Sequence, residues 1–217
     1  ATVDRAAGYK GITAFVVDRH TPGLSIGRKE DKLGLRASDT CQLAFDDIEV
    51  RETQMLGKPG QGYRIALHGL GASRIGVAAQ ATGVADAALT AASSYAGERK
   101  SFGHALVEHQ GVGFRLADMA TQVQAARLLT RHAAELKDAG ADYAVASSMA
   151  KLYAAEMCER VCSGAIQVFG GYGYMKDYPV ERLYRDARVF QIYEGTSEMQ
   201  RLIISRSIAA GKLSGSV

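Results

Sequence analysis

Glu194 is the carboxylate whose neighbours in this sequence suit acid–base chemistry. It stands in QIYEGTSEMQR (Gln191–Arg201), with Tyr193 before it and Gly195 after it, between the apolar pair Val189-Phe190 and the start of a helix. A loop carboxylate flanked by an aromatic ring and by a glycine that admits a ligand can be desolvated when the ligand binds. Desolvation makes a carboxylate a stronger base, suited to taking a proton. The spacing alone also allows a plainer role, an acid that complements the positive end of the helix following it.

Three further segments carry candidate chemistry. In ERKSFG (Glu98–Gly103), Arg99, Ser101 and Phe102 could hold a pyrophosphate and an adjoining ring; Arg99 and Lys100 could equally complement the end of the preceding helix. Arg74 lies in GASR (Gly71–Arg74), among small residues, where a guanidinium could reach a phosphate or simply pair at the surface. QVFGGYG (Gln167–Gly173) has the look of a phosphate loop. It neither follows a strand nor opens a helix with G-x-G-x-x-G spacing, so a dinucleotide fold is excluded and a helix stop explains its glycines. Close approach of an anion to that bare backbone remains a second role.

Cys41, Cys158 and Cys162 are the three cysteines. So few, without dense spacing, point to a reducing compartment and no disulfide framework. Cys158 and Cys162 share one helical face, but no histidine or further cysteine lies near in sequence, and core packing is the better reading.

The elements that must position these groups fall into two textures. Residues 1–56 read as β, with strand-like runs at 11–17, 23–27, 32–37 and 41–50 divided by polar turns and by Thr21-Pro22-Gly23. Four short strands leave open edges, so these residues are expected to be the last part of a larger β-domain. A hinge-like turn, GKPGQG (Gly57–Gly62), then opens a domain over 57–217. A proline-free, alanine-rich helix is expected over 63–98, with Ala78, Ala81, Ala85, Ala88 and Ala92 giving a surface for close packing. Its interior glycines weaken it, each by ~1 kcal/mol against alanine. A second helix is expected over 110–136 with an apolar stripe of Leu116, Ala120 and Val123, flanked by Phe114, Ala117 and Leu128. A third, over 142–169, stops at Gly170-Gly171. A short helix follows Pro179, and a last one begins near Ser197, where Ser197 and Gln200 have the spacing of a capping box. The fold class expected is α+β: a partial antiparallel β-domain followed by an antiparallel helical bundle.

Composition narrows the function. Net charge is +3, with 26 Lys+Arg spread among 23 Asp+Glu, which does not suit a nucleic-acid surface. No run of apolar residues suggests a membrane span, and the first residues lack the pattern of a signal peptide.

Taken in order, these segments resemble the acyl-CoA dehydrogenase family, most closely its short-chain (butyryl-CoA) branch. The resemblance runs from KGITAFVVDRHTPGLSIG and CQLAFDDIEV through SRIGVAAQATGVADAAL, GERKSFG and EHQ to QVFGGYGYMKDYPVERLYRDAR and IYEGTSEMQR. It implies an FAD-dependent α,β-dehydrogenation of a fatty acyl-CoA to trans-2-enoyl-CoA, as in β-oxidation. Glu194 is then the base, and the flavin accepts the hydride. One branch places its base at the position of Ser73, where this chain has no carboxylate. The flavin contacts implied are Arg99, Ser101, Phe102, Gln110, Gln167, Gly170, Gly171, Thr196, Ser197 and Glu198. The substrate contacts implied are Gly71, Ser73, Arg74 and Gly195. The resemblance further implies a homotetramer sharing flavin contacts between subunits, an electron-transfer flavoprotein as electron acceptor, and a bacterial cytoplasmic or mitochondrial-matrix setting. Family members run to nearly twice this length, so the chain is expected to be part of a longer one. Two rival expectations are a non-catalytic helical scaffold and an acyl-CoA oxidase.

Overall fold

The computed structural model describes residues 1–2 and 4–212 and divides into two compact units, residues 1–32 with 36–70, and residues 33–35 with Gly71 onward. The architecture is α+β, with short antiparallel strand pairs and a bundle of helices.

In the first unit, β1 (Ala14–Phe15) pairs with β4 (Met55–Leu56), and β2 (Leu24–Lys29) pairs with β3 (Cys41–Phe45), all antiparallel. The β2–β3 register shifts between Ile26 and Lys29, and most residues of both strands are exposed. The run expected over 41–50 stops at Phe45, and Asp47 has a left-handed φ of 49° that no strand continues through. Residues 11–17 pair as a strand only at β1, with an isolated antiparallel bridge from Ile12 to Thr2, and β4 has no counterpart among the expected strands. Gly57 and Gly60 take φ 78° in the GKPGQG turn, conformations that glycine adopts at no steric cost.

The strand expected over 32–37 is absent. Leu33-Gly34-Leu35 lies instead against α4 (Val180–Ala187) in the helical unit. Arg185 donates from Nη1 to the Leu33 carbonyl at 3.0 Å, and the Leu35 N–H donates to Asp186 Oδ1 at 2.5 Å. Gly34 rests directly on the Arg185 backbone, and a Cβ there would sit 2.7 Å from the Asp186 nitrogen. With φ 48° at Leu35 the segment is not extended, and side chains rather than a neighbouring strand satisfy its backbone.

In the helical unit, α1 (Gly62–Glu98) passes from one unit into the other and is followed by a small hairpin, β5 (Lys100–Ser101) with β6 (His104–Ala105). Then come α2 (Gln110–Asp138), α3 (Ala144–Phe169), α4 and α5 (Ser197–Ala209). Ala78, Ala81, Ala85, Ala88, Ala92 and Ala96 recur at helical spacing along α1 and are fully buried. Among the described residues, α1 is the one helix long and apolar enough to cross a membrane; this buried alanine row marks it as a core helix.

Helix α3 is the centre of the bundle: it contacts α2, α4 and α5, and 14 of its 26 residues are buried. Cys158 and Cys162 are among them, with their sulfurs 4.0 Å apart. The buried stripe of α2 is Leu116, Met119, Val123, Ala126, Thr130 and Ala133. Leu116 and Val123 therefore face the core as expected, while Ala117, Ala120, Phe114 and Leu128 lie on the exposed side. The spacing 116–119–123–126 follows the helical repeat more closely than the expected set, which mixed two faces. Helix α3 ends at Phe169 and Gly170 caps it with φ 61°, the expected glycine stop. Tyr95 of α1 stacks on Phe169 at 4.1 Å between ring centroids, tying that stop to the first helix.

Candidate active site

The loop that carries Glu194 is held in an unusual backbone conformation. Glu194 has φ 56° and Gly195 φ 89°, two consecutive left-handed residues. For a glutamate this costs roughly 1–2 kcal/mol, so the surroundings must hold it there. From α1, Ser73 donates its hydroxyl to Glu194 Oε2 at 2.6 Å. Below the loop, two donors converge on the Gly195 carbonyl: Lys151 Nζ at 2.7 Å and Gln200 Nε2 at 2.9 Å. The following helix is capped by Thr196, whose hydroxyl accepts from the Met199 N–H at 3.4 Å. The cap is therefore one residue earlier than the expected Ser197. The Gln200 amide, in place of closing a capping box, turns back onto the Gly195 carbonyl.

Charge is concentrated around this loop. Lys151 is fully buried and lies in the N-terminal third of α3. Burial pushes its ammonium down from 10.5 to about 8, Arg74 pushes the same way, and Glu194, Glu198 and Glu156 oppose. Burial likewise lowers Arg74, against the attraction of Glu194. The Arg74 Nε atom is buried without a hydrogen-bond partner. Tyr193 is raised by burial and then by the adjacent Glu194, and its hydroxyl donates to Gln80 at 2.8 Å. The result is a carboxylate fixed at one oxygen and set among a guanidinium, a buried ammonium and a phenol. Such a group can accept a proton from a ligand placed over the loop.

A second feature lies at the end of α1. A cleft of about 610 Å³ is lined by Arg99 and Ser101 on one side and by Gly170 and Gly171 on the other, with Tyr95, Phe169 and Tyr172 among its walls. The Arg99 guanidinium sits 6.0 Å from the centre of the Tyr172 ring. A Cβ added at Gly170 or Gly171 would meet nothing within 4 Å, so open space stands over bare backbone beside a cation and a hydroxyl. That combination fits a pyrophosphate, and the aromatic walls fit an adjoining ring.

The expected site residues therefore fall into groups. Ser73, Arg74 and Gly195 join Glu194, and Gly71 faces the Tyr143 ring at 3.5 Å from where a Cβ would stand. Arg99, Ser101, Gly170 and Gly171 share the cleft. Phe102 is 94% exposed, and Gln110 and Gln167 are also exposed; none of the three lines it. Thr196 caps α5, Ser197 is buried with its hydroxyl unpartnered, and Glu198 is exposed. The Glu198 carboxyl is held down by its own backbone N–H and then by Thr196. Sequence reasoning missed Lys151, the clamp made by Gln200, and Tyr172. The signal for Lys151 was present: it is a lone lysine on the apolar stripe Ala150–Ala154–Ala155–Cys158.

Residues 60–209 match the family model described as acyl-CoA dehydrogenase, C-terminal domain. An acyl-CoA dehydrogenase of Bacillus subtilis (strain 168) is 52% identical over 204 residues, which make up 94% of this chain and 54% of that protein. The three-dimensional structure of butyryl-CoA dehydrogenase from Megasphaera elsdenii superposes with a TM-score of 0.95 at 45% identity, covering 96% of this chain and 55% of that one. A chain in the structure described as the electron transferring flavoprotein of Acidaminococcus fermentans gives a TM-score of 0.94 at 46% identity, over 96% of this chain and 55% of that one. The chain spans about half the length of the curated relatives it matches.

Proposed function

This chain belongs to the acyl-CoA dehydrogenase family, and on that premise we propose that it forms the base-bearing helical part of a dehydrogenase acting on short-chain acyl-CoA thioesters. The observation that carries the reading is Glu194 itself. It is held left-handed, fixed at Oε2 by Ser73 and followed by Gly195, whose missing side chain leaves the space that Gln200 Nε2 occupies against the loop. In the reaction, Glu194 takes the α-proton of the thioester while the β-hydrogen leaves with its electron pair, giving a trans-2-enoyl-CoA. FAD, when bound, supplies the acceptor for that hydride.

Arg99 and Ser101, with the Gly170-Gly171 backbone, are the residues to hold its pyrophosphate, and the chemistry of the cleft fits that group. Gln110, Gln167, Phe102, Thr196, Ser197 and Glu198 are assigned flavin contacts on the resemblance alone, as are Gly71 and Arg74 for the substrate. Ser73 orients the carboxylate and, being uncharged, cannot itself serve as an alternative base. Family membership supports a homotetramer and reoxidation by an electron-transfer flavoprotein, in the bacterial cytoplasm or the mitochondrial matrix.

The test is Glu194→Gln in the full natural polypeptide, assayed with butyryl-CoA. Turnover is expected to fall on the order of 10²–10⁴-fold with flavin content unchanged. A variant retaining more than about a tenth of the wild-type rate removes Glu194 from the role of base, because a positioned general base contributes more than that.

A further inference from the structure

We propose that Lys151 is a positioning residue that holds the Glu194 carboxylate in its reactive place by anchoring the Gly195 carbonyl from beneath. The proposal rests on the reading of Glu194 as the base.

A lysine is a poor choice for this position on packing grounds alone. It is fully buried on a face of α3 shared with Ala154, Ala155 and Cys158 on one side and with the buried Ser147 and Ser148 on the other, where methionine or leucine would avoid desolvating a charge. Its ammonium makes a 2.7 Å bond to the Gly195 oxygen. It forms no ion pair within 4 Å among those found in the described residues. The nearest carboxylates, Glu194, Glu198 and Glu156, act on it only through space. The cation is thus directed at one backbone oxygen, and that oxygen belongs to the residue after the base.

The Gly195 carbonyl is the point at which the loop can be held. Glu194 and Gly195 are both left-handed, and Thr196 returns to extended backbone to cap α5. The peptide between Gly195 and Thr196 therefore sets the relation between the base and the rigid helix. Gln200, the other donor to this oxygen, sits in the first turn of α5 and moves with the loop. Lys151 comes from a different element, 44 residues away in sequence, and ties the loop to the centre of the bundle. Without it, the loop keeps two ties to α1, Ser73 at the Glu194 carboxylate and the Tyr193 hydroxyl to Gln80, and neither holds the backbone on the far side of the base. Relaxation of φ at Glu194 would then carry the carboxylate off Ser73.

The experiment compares Lys151→Met, which keeps length and removes the donor, and Lys151→Gln, which keeps a neutral donor, in the full natural polypeptide. Each is made alone and in the Glu194→Gln background. The expected result for Lys151→Met is a loss of kcat on the order of 10²-fold, the scale for a misplaced reacting group. KM should stay within about threefold, since Gly71, Ser73 and Arg74 on α1 keep their places and only Gly195 among the implied substrate contacts moves. Lys151→Gln should recover part of the loss, and neither variant should lower the residual rate of Glu194→Gln further. Hydrogen exchange by mass spectrometry should show faster exchange at residues 194–199 in Lys151→Met with α3 itself still protected. Lys151→Met with near wild-type kcat overturns the proposal while leaving Glu194 as the base. An active Glu194→Gln overturns the base reading instead. Failure of both Lys151 variants to fold, or a loss of rate that persists in the Glu194→Gln background, assigns Lys151 to stability alone and overturns the proposal.

Discussion

Replacing Gly195 with alanine tests whether the loop is held by the contacts described. Two costs are separable. At φ 89° an alanine pays for a left-handed backbone, about 1–2 kcal/mol. In addition, the new Cβ would stand 2.8 Å from Gln200 Nε2, closer than side-chain carbons approach a nitrogen, and 3.8 Å from Arg74 Nη2. Relief requires the Gln200 amide to withdraw from the Gly195 carbonyl, where it is bonded at 2.9 Å. Gln200 is fully buried, and its Nε2 has besides Gly195 only a long 3.5 Å contact to the Glu194 carbonyl on the same loop among the hydrogen bonds described. Stranding a buried donor costs about 1–3 kcal/mol. The sum is a destabilisation of roughly 2–5 kcal/mol. In a Gln200→Ala background the steric part is absent, and the same substitution should cost only the backbone part, about 1–2 kcal/mol. Urea denaturation followed by far-ultraviolet circular dichroism gives all four stabilities, and the cycle isolates the coupling. An equal cost in both backgrounds would show that Gln200 does not occupy the space above Gly195, and the clamp would have to be abandoned.

Three further outcomes are expected. Gly34→Ala should detach the Leu33–Leu35 segment from α4, because its Cβ would collide with the Arg185 backbone; hydrogen exchange at Leu35 should accelerate strongly, and an unchanged rate would contradict the strap. The folded-state value for Lys151, about 8, lies below its ordinary 10.5, so between these pH values the unfolded chain holds a proton that the folded one has lost. Stability relative to Lys151→Met should therefore rise with pH across that window by up to about 1.4 kcal/mol per unit and be flat below it; a difference that falls with pH would refute the assignment. Cys158 is buried, and its thiol is pushed up by its bond to Cys162 and by burial. Iodoacetamide should label the partly exposed Cys41 first and reach Cys158 only through unfolding, which peptide mass spectrometry after timed quenching would show.

What the sequence by itself determined is what depends on neighbours in the chain. The alanine repeat of α1, the glycine stop at Gly170 and the start of α2 at Gln110 are local signals, and the structure keeps them. So is the order of motifs from ERKSFG to IYEGTSEMQR, which was enough to indicate the family. Tertiary structure decided whatever depends on a partner far along the chain. Residues 32–37 have strand-like composition, yet Leu33-Gly34-Leu35 lies on α4 because Arg185 and Asp186, about 150 positions later, satisfy its backbone. The spacing of Ser197 and Gln200 pointed to Ser197 as the cap of α5, and only the backbone turn at Glu194-Gly195 brings the Thr196 hydroxyl to the Met199 N–H instead. Glu194 could be picked out as a candidate base from its flanking residues. Its setting could not, because Ser73 lies 121 residues away and Lys151 comes from the core of another helix. A hydrogen bond is short-ranged and directional, so a pattern along the chain shows which residues could donate, and only the packed fold shows which of them is within 3 Å.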